Sequence, residues 1–530
     1  MISAFLLASV LARGEPIARP TPAHLRWQSL EIGLFIHFAP NTWSGREYDD
    51  HSVPVSSINP TEFSASQWVD AAVACGAKYI VLVAKHTGGF CLWPTDTSPY
   101  GIKETPFQGG KGDIVGDLSR ACRERGLAFG IYLSPRDDTH KAGLGGKCAD
   151  DETQAAYNRV YRAQLTELLT RYGPVVEVWF DGSLVVPVGD ILKEHAAEAM
   201  VFQGPHATIR WVGNEAGYAP YPAWNAVRRE DAETGIATAV HGDPLGERWL
   251  PLEVDVSLRR PNWFWNKDNH VNILSLDELM RIYYGSVGRG CQLLLNVTPD
   301  TRGRIPEPDM ARLRELGQEV ARRFGRPLGE ATGALSARID FASPTAIDHV
   351  VMQEDLAGGE RVRQYRVQGL SAGQWTTLAE GTAIGYKRIQ ALQPATVDAV
   401  VLEVLAAAGE PKISRFAAFE SGPPPERWDH QPDELWSEDE MGRWKDGFFE
   451  IDLSSRWKDA RVYRVRFVGI GGEAQPQDVR FHVGEVDRTD LVRPDPERPD
   501  TVLVTVTEAA EKLLLRGRIQ GASAGRILAR

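Results

Sequence analysis

Hydrophobic runs of seven to nine residues recur along the first 300 residues, and amphipathic stretches separate them. The runs are rich in aliphatic and β-branched residues, as are strands that are buried on both faces. Strands that alternate with helices in this way are typical of a parallel sheet covered by helices. The runs occupy residues 32–38, 78–86, 127–134, 175–182, 208–215, 249–257 and 291–297.

The stretches between these runs carry helix signals. Residues 64–74 begin with Ser64, three positions before Gln67, which is the spacing of a capping box. Residues 113–125 repeat apolar positions every four residues and end before Gly126, a residue that commonly terminates helices. Two further helices are predicted at residues 157–172 and 307–324.

Seven strands over about 300 residues match the size of a (β/α)8 barrel in which one strand is irregular or unrecognised. A doubly wound open sheet is the alternative, but the first strand-to-helix turn lacks the GxGxxG pattern of dinucleotide-binding sheets. The predicted fold class is therefore α/β, with a (β/α)8-like (TIM) barrel over residues 20–328. In such a barrel the carboxyl ends of all strands meet at one face, where catalytic groups gather.

Beyond about residue 326 the pattern changes to short alternating strands separated by turns. This change predicts a β-sandwich over residues 329–420. A Pro-rich stretch then leads to more strand-like runs, so residues 421–530 are expected to form a linker and a second small β-rich domain. No cluster of chemically reactive residues stands out in either region.

Residues 2–11 form a short apolar run that ends in small residues, as the core of a signal peptide does. The run favours a signal peptide and N-terminal segment within residues 1–19, and hence a periplasmic or secreted protein. Because no basic residues precede the run, a cytoplasmic location is the alternative. No later run reaches the length of a transmembrane span, so no membrane insertion is expected.

Composition narrows the range of partners. The 530 residues carry a formal net charge of −12, which argues against nucleic acid as the main partner because an acidic surface repels phosphates. Five widely spaced cysteines without a CxxC pattern suggest neither a structural zinc site nor a disulfide scaffold. A neutral small molecule or a glycan fits better, and the oligomeric state is left open.

Two carboxylates follow strand-like runs: Asp181 ends the fourth and Glu215 the fifth. Glycoside hydrolysis needs a pair of carboxyl groups, one on each side of the bond that is cleaved. If their strands are neighbours, about 4.7–4.9 Å apart, these side chains can approach the roughly 5–5.5 Å separation of retaining glycosidases. The alternative is that both are ordinary strand-end carboxylates that face water.

Aromatic residues are concentrated near the same strand ends. Flat rings suit the apolar faces of a sugar, whereas large rings also fill barrel cores. A position in the core is the alternative for each of these rings, above all for Trp211. The aromatic residues are Trp179, Trp211, Trp263, Phe264 and Trp265.

With these motifs the chain resembles the family 29 glycoside hydrolases, which are retaining α-L-fucosidases. GLFIHF, GAKYIVLVAKH with GFCLW, GIYLS, VWFDG and LLLNVTPDTRGRI occur in the family's order between residues 27 and 320. The resemblance implies an exo-glycosidase that hydrolyses α-L-fucosyl linkages of oligosaccharides or glycoconjugates by double displacement. It also implies that no cofactor and no metal ion is needed.

The resemblance assigns roles position by position. Asp181 in WFDG corresponds to the nucleophile, and Glu215 in RWVGNE resembles the acid/base of the subgroup that acts on α-1,3/1,4-linked fucose. Glu47 with Tyr48 stands in place of a Glu-Trp pair, and Trp265 is a further candidate from its position beside Trp263. The other positions that match fucose contacts are His37, His86, Tyr132, Trp179 and Trp263.

One motif departs from the family pattern. Where the family usually reads KHHDGF this chain reads KHTGGF, so Thr87 and Gly88 replace a histidine and an aspartate. We expect catalysis to be kept and substrate preference to change.

The sequence leaves three alternative functions open. The same fold can serve as a catalytically impaired carbohydrate-binding protein. His37 and His86 could serve a metal-dependent hydrolase, although a second histidine on the first strand is missing. Lys85 could form a Schiff base, although no phosphate-binding glycine turn accompanies it.

Overall fold

This computed structural model describes residues 17–229, 241–269 and 272–429, and in the C-terminal region residues 439–445, 447–452, 461–469, 475–484, 486–495, 498–506, 513–520 and 524–529. The chain divides into two compact units, Met1–Pro432 and Asp433–Arg530. Most of the predicted signal peptide, residues 1–16, lies outside the described residues. None of the described helices is long and apolar enough to cross a membrane.

The first ten strands build the N-terminal part of the first unit. They are β1 Ile32–Ile36, β2 Tyr79–Lys85, β3 Ala128–Leu133, β4 Glu177–Trp179, β5 Met200–Phe202, β6 Arg210–Trp211, β7 Ala226–Val227, β8 Arg248–Trp249, β9 Leu252–Ser257 and β10 Gln292–Val297. β7 and β8 form a two-stranded sheet, and the other eight form one sheet in the order β5-β4-β3-β2-β1-β10-β9-β6. All of its ladders are parallel, and a bridge between Phe202 and Ile209 joins its two edges. The predicted (β/α)8-like fold is confirmed.

The eighth strand, which the sequence pattern did not reveal, is β5. It contains three residues and is followed after a short turn by β6, with no helix between them. Because β5 lies between β4 and β6 in the barrel, the prediction that Asp181 and Glu215 follow neighbouring strands was wrong. Two strand spacings, about 9–10 Å, separate their parent strands, so the loops after the strands decide how close the carboxylates come.

Within the part of the chain that the structure describes, eight α-helices accompany the strands. They are α1 Pro22–Gln28, α2 Asn41–Ser44, α3 Ala65–Ala74, α4 Ile114–Glu124, α5 Asp151–Arg171, α6 Gly189–His195, α7 Leu276–Gly285 and α8 Glu307–Phe324 among the described residues. The Ser64 side chain accepts a hydrogen bond from the backbone of Gln67, but the Gln67 side chain binds the backbone of Ile305 and does not complete the predicted capping box. α5 begins earlier than predicted because Asp150 and Thr153 form a capping box upstream of the apolar residues.

Two glutamates lie inside the barrel with no exposed surface, Glu177 on β4 and Glu253 on β9. The indole of Trp27 donates to Glu177 at 2.9 Å, and that of Trp179 donates to Glu253 at 2.9 Å. Burial raises the pKa of Glu177 to about 7 and that of Glu253 well above its ordinary value. Burial therefore favours the protonated form of both carboxyl groups, and the bond to Glu253 holds the ring of Trp179 in place.

An antiparallel sheet completes the first unit. Its strands are β11 Gly329–Gly333, β12 Ser336–Glu354, β13 Val362–Ser371, β14 Gln374–Gly381, β15 Arg388–Ala407 and β16 Ile413–Phe419, in the order β11-β16-β12-β15-β13-β14. Apolar side chains of these strands form a core of their own. Buried polar contacts join the sheet to the barrel, among them the Tyr284 hydroxyl with His349 at 2.9 Å and the Asn225 amide donating to Glu360 at 2.6 Å.

The described residues of the second unit form a nine-stranded antiparallel sheet with its own apolar core. Its strands are β17 Asp439–Lys445, β18 Phe448–Asp452, β19 Arg461–Gly469, β20 Gln475–Val483, β21 Val486–Asp487, β22 Val492–Asp495, β23 Arg498–Val506, β24 Leu513–Gln520 and β25 Ala524–Ala529. The prediction that antiparallel β structure follows the barrel is confirmed in both units. The domain boundaries at residues 328 and 420 stay predictions.

Candidate active site

The predicted site residues follow several barrel strands at their carboxyl ends. His37 comes directly after β1 and His86 directly after β2, while Tyr132 belongs to the end of β3. Asp181 lies two residues beyond β4, and Glu215 lies four residues beyond β6. Since the strands are parallel, these ends open onto the same face of the barrel.

Asp181 is held by a neighbour on the adjacent strand. The hydroxyl of Tyr132 donates a hydrogen bond to Asp181 Oδ2 at 2.9 Å. Burial raises the pKa of Asp181, while the hydrogen bond from Tyr132 and the positive charge of Arg136 act in the opposite direction. Gly182 has a φ of 79°, so the turn after Asp181 uses a conformation that favours glycine. Tyr132 and Arg136 therefore both favour the charged carboxylate, which is the nucleophilic form.

Glu215 is exposed and lies on the loop after β6. The indole N–H of Trp263 donates to Glu215 Oε2 at 3.2 Å. The guanidinium of Arg260 donates to the backbone carbonyl of Glu215. Both the side chain and the backbone of Glu215 are thus oriented by the segment that contains Trp263.

Contacts between rings connect the surroundings of the two carboxylates. The ring of Trp263 lies 5.2 Å from that of His37, and His37 lies 6.1 Å from Tyr132. His86 stacks on Tyr132 at 5.9 Å, and Phe264 packs against both histidines, at 5.3 and 5.0 Å. Glu215 at one end and Asp181 at the other are therefore joined by one continuous layer of aromatic side chains.

Both histidines are neutral near pH 7. Burial lowers the pKa of His37 well below its ordinary value, and burial followed by the charge of Arg136 lowers that of His86 to about 3. His37 Nδ1 lies 2.8 Å from Asn296 Oδ1, and the Asn296 amide nitrogen donates to Ser257 and to the Trp263 carbonyl. This network assigns the proton of His37 to Nδ1 and leaves Nε2 as a hydrogen-bond acceptor, which suits a sugar hydroxyl.

Lys85 has a different environment from the one that Schiff-base chemistry needs. Its ammonium is fully buried and donates to Asp137 at 2.7 Å and to Gln164 at 2.9 Å. It therefore forms a fully buried ion pair with Asp137. Among the described residues, no group of three histidine, cysteine or acidic side chains is placed to hold a metal ion.

Glu47 and Tyr48 lie on the same loop but have different contacts. Glu47 accepts hydrogen bonds from the Asn262 side chain and from the backbone N–H of Trp263, both at 2.9 Å. Tyr48 is 65% exposed, and its ring lies 5.8 Å from the guanidinium of Arg136. Glu47 thus fixes the segment of Trp263, while Tyr48 remains open to a ligand.

Trp179 is part of the barrel core. It is 6% exposed, stacks on Phe202 at 3.9 Å and on Tyr132 at 5.2 Å. In this position it supports Tyr132 from below. Trp265 is half-buried, and its predicted contact with the sugar stays a prediction.

Three residues of this site were not included in the predicted set: Arg136, Phe264 and Asn296. Arg136 and Asn296 lie close to the ends of β3 and β10, so their positions at strand ends were the available signal. Phe264 was recognised only as one of several aromatic residues. Its contact with both histidines depends on the fold of the loop after β9.

Comparisons with known proteins agree on one family. The family model described as alpha-L-fucosidase matches residues 44–323. A putative alpha-L-fucosidase 1 of Oryza sativa subsp. japonica is 34% identical over 449 residues, which are 76% of this chain and 84% of the relative.

Solved structures give the same result. The structure of a putative alpha-L-fucosidase from Bacteroides thetaiotaomicron matches with a TM-score of 0.71 and 33% identity, over 76% of this chain and 99% of that one. A GH29 fucosidase of Ruminococcus gnavus, solved in complex with fucose, matches with a TM-score of 0.68 and 26% identity, over 80% of this chain and 98% of that one.

Proposed function

The chain belongs to the alpha-L-fucosidase family, and we propose that it cleaves fucosylated glycans by a retaining double displacement with Asp181 and Glu215. Hydrolysis of α-L-fucosyl linkages follows from the family. The stereochemistry, the catalytic residues and the linkage are what the proposal adds. The observation that supports it most is the layer of rings that joins the surroundings of the two carboxylates.

In the first step, the Asp181 carboxylate attacks C1 of the fucosyl group while the Glu215 carboxyl donates its proton to the glycosidic oxygen. The bond from C1 to that oxygen breaks, the alcohol of the leaving sugar departs, and a fucosyl ester of Asp181 remains. Tyr132 and Arg136 support this role, because both favour the ionised form of Asp181.

In the second step, Glu215, now a carboxylate, removes a proton from a water molecule that attacks C1. The ester bond breaks, fucose leaves with the configuration of the substrate, and Asp181 is again a carboxylate. The indole of Trp263 supports the role of Glu215, since a donor on Oε2 orients the carboxyl group between the two steps.

His37 and His86 are proposed to accept hydrogen bonds from fucose hydroxyls, because neutral imidazoles offer an acceptor nitrogen. Tyr48 and Trp265 are proposed to contact the sugar at the mouth of the barrel. The linkage is proposed to be α-1,3/1,4, on the resemblance of RWVGNE to the subgroup with that preference.

Hydrolysis of a panel of fucosylated glycans, followed by NMR, tests this proposal. Release from Lewis-type trisaccharides with α-1,3 and α-1,4 linkages is expected to exceed release from an α-1,2-linked trisaccharide by about tenfold or more, a difference of roughly 1.4 kcal/mol. The first fucose anomer to appear is expected to be α. Early accumulation of the β anomer would contradict a retaining mechanism, and preferred cleavage of the α-1,2 linkage would contradict the linkage.

Tyr132→Phe is expected to move the acidic limb of the pH profile of kcat/KM to higher pH. The hydrogen bond from Tyr132 lowers the pKa of Asp181, so without it Asp181 is protonated at a higher pH and loses its nucleophilic form. A hydrogen bond to a charged group contributes about 1.5–3 kcal/mol, which corresponds to a shift of about one to two pH units. The pH profile of kcat/KM is measured with an aryl α-L-fucoside. If its acidic limb did not move in Tyr132→Phe, the limb would report the ionisation of a group other than Asp181.

A further inference from the structure

The loop that carries Glu47 and Tyr48, residues 45–52, is here called the mouth loop. One of its side chains, Asp49, is 6% exposed. The hydroxyl of Tyr100 donates to Asp49 Oδ2 at 2.8 Å, and the backbone N–H of His51 donates to Oδ1 at 2.9 Å. A buried carboxylate with two donors has a defined position, so Asp49 anchors the mouth loop to the barrel.

The anchor depends on the absence of a side chain at Gly88, three residues after β2. A Cβ built at position 88 would lie 2.5 Å from Oδ2, 2.7 Å from Cβ and 2.9 Å from Cγ of Asp49. Real atoms do not approach so closely in a packed interior. The φ of Gly88 lies outside the left-handed region, so it is space and not backbone conformation that requires glycine here.

The backbone of Gly88 adds two further bonds. Its carbonyl accepts from His51 Nε2 at 2.9 Å and from the Thr139 hydroxyl at 2.8 Å. The ring of His51 also lies 4.8 Å from that of Tyr100. The mouth loop, the segment after β2 and the segment after β3 therefore meet at Gly88.

The mouth loop connects this anchor to Glu215. Glu47 accepts from the backbone of Trp263, and the indole of Trp263 donates to Glu215. A displacement of Asp49 would move Glu47 with the loop and release one of the bonds that orient Trp263. The consequence is expected at Glu215, two hydrogen bonds further on.

We propose that Asp49 and Gly88 are a matched pair that positions the mouth loop and, through Glu47 and Trp263, the carboxyl group of Glu215. Asp49 is a positioning residue and does not touch the reacting atoms. This inference rests on the proposed function, because its kinetic effect requires Glu215 to be the acid. It also accounts for the KHTGGF motif. The family usually has an aspartate where this chain has Gly88, and here Asp49 places its carboxylate in the space beside Gly88.

A double-mutant cycle tests the pair with four proteins: the wild type, Gly88→Ala, Asp49→Gly and the double variant. In the wild-type background, Gly88→Ala is expected to lower kcat/KM for a fucosylated trisaccharide by about tenfold. A change of this size is within the range of coupling between residues in contact. In the Asp49→Gly background the three atoms nearest to the added methyl group are gone, because all of them belong to the Asp49 side chain. In that background the same alanine is expected to change kcat/KM by less than about twofold.

The choice of substrate separates positioning of Glu215 from general damage. Gly88→Ala and Asp49→Gly are expected to lower the rate for the trisaccharide more than the rate for an aryl fucoside with an acidic phenol. Only the leaving sugar of the trisaccharide has to be protonated by a general acid as the bond breaks. Gly143→Ala and Asp50→Gly are the matched controls, since position 143 has room for a Cβ and Asp50 is exposed on the same loop. Both controls are expected to retain the wild-type ratio of the two rates.

Equal effects of Gly88→Ala in the two backgrounds would overturn the matched pair. Equal losses on the two substrates would overturn the connection to Glu215. If the wild type cleaved no fucoside, the proposed function would fail, but the thermal unfolding midpoints of the four proteins would still test the pair. In that case a non-additive change in midpoint is expected, and additive changes would overturn the pairing.

Discussion

Replacing Asp181 with alanine is expected to lower the rate of aryl α-L-fucoside hydrolysis by at least about 1,000-fold, or roughly 4 kcal/mol in the activation barrier. Without the carboxylate no covalent fucosyl ester can form, and water has to attack C1 directly. The vacated space lies beside Tyr132, whose hydroxyl then has no carboxylate to which it can donate. The measurement is steady-state release of the phenol.

Added azide is expected to restore part of this lost activity and to form a β-L-fucosyl azide. A small anion in the vacated space attacks from the face that Asp181 used, so the configuration at C1 inverts. Asp190→Ala is the matched control, because Asp190 is an exposed aspartate that pairs with Arg162. Retained turnover in Asp181→Ala would show that another residue is the nucleophile. If the wild-type protein bound fucosides but did not hydrolyse them, the result would instead support the carbohydrate-binding alternative.

Replacing Glu215 with alanine is expected to lower kcat/KM for a fucosylated trisaccharide by about 100-fold or more, which is the usual contribution of general acid catalysis. An aryl fucoside whose phenol is acidic needs little protonation, so its rate of bond cleavage is expected to fall far less. The comparison of the two substrates in the same variant is the measurement. Equal losses on both would contradict the assignment of Glu215 as acid/base.

The configuration of the azide product distinguishes Glu215→Ala from Asp181→Ala. In Glu215→Ala the fucosyl ester of Asp181 still forms, and azide attacks it from the opposite face, so an α-L-fucosyl azide is expected. Glu198→Ala is the matched control, since Glu198 is exposed and pairs with Arg26. A β azide from Glu215→Ala would indicate that the two carboxylates have exchanged roles.

Much of the barrel could be predicted from local pattern. The strand before Asp181 was recognised from its apolar residues, and the turn after it from Gly182, because both signals act within a few residues. β5 was missed for the opposite reason: three residues carry no periodicity, and only their pairing with β4 defines them as a strand. The error about neighbouring strands follows directly from this missing strand.

The supporting contacts of the site could not be predicted from local pattern. Glu47 and Trp263 are separated by more than 200 residues, yet the backbone of one binds the side chain of the other. The indole N–H of Trp179 donates to the buried carboxyl group of Glu253 on a distant strand, and the predicted contact of Trp179 with the sugar stays a prediction. Each of these contacts joins segments whose separation in sequence says nothing about their separation in space.

By itself the sequence determined the alternation of strands and helices, the change to antiparallel strands after the barrel and the polar residues at strand ends. These follow from side-chain period and turn chemistry, which are local properties of the chain. Only the tertiary structure decided that β5 separates the strands of Asp181 and Glu215, that rings connect the two carboxylates and that Asp49 occupies the space beside Gly88. Closure of the barrel and packing between loops bring these groups together, because both depend on which distant segments share the same volume.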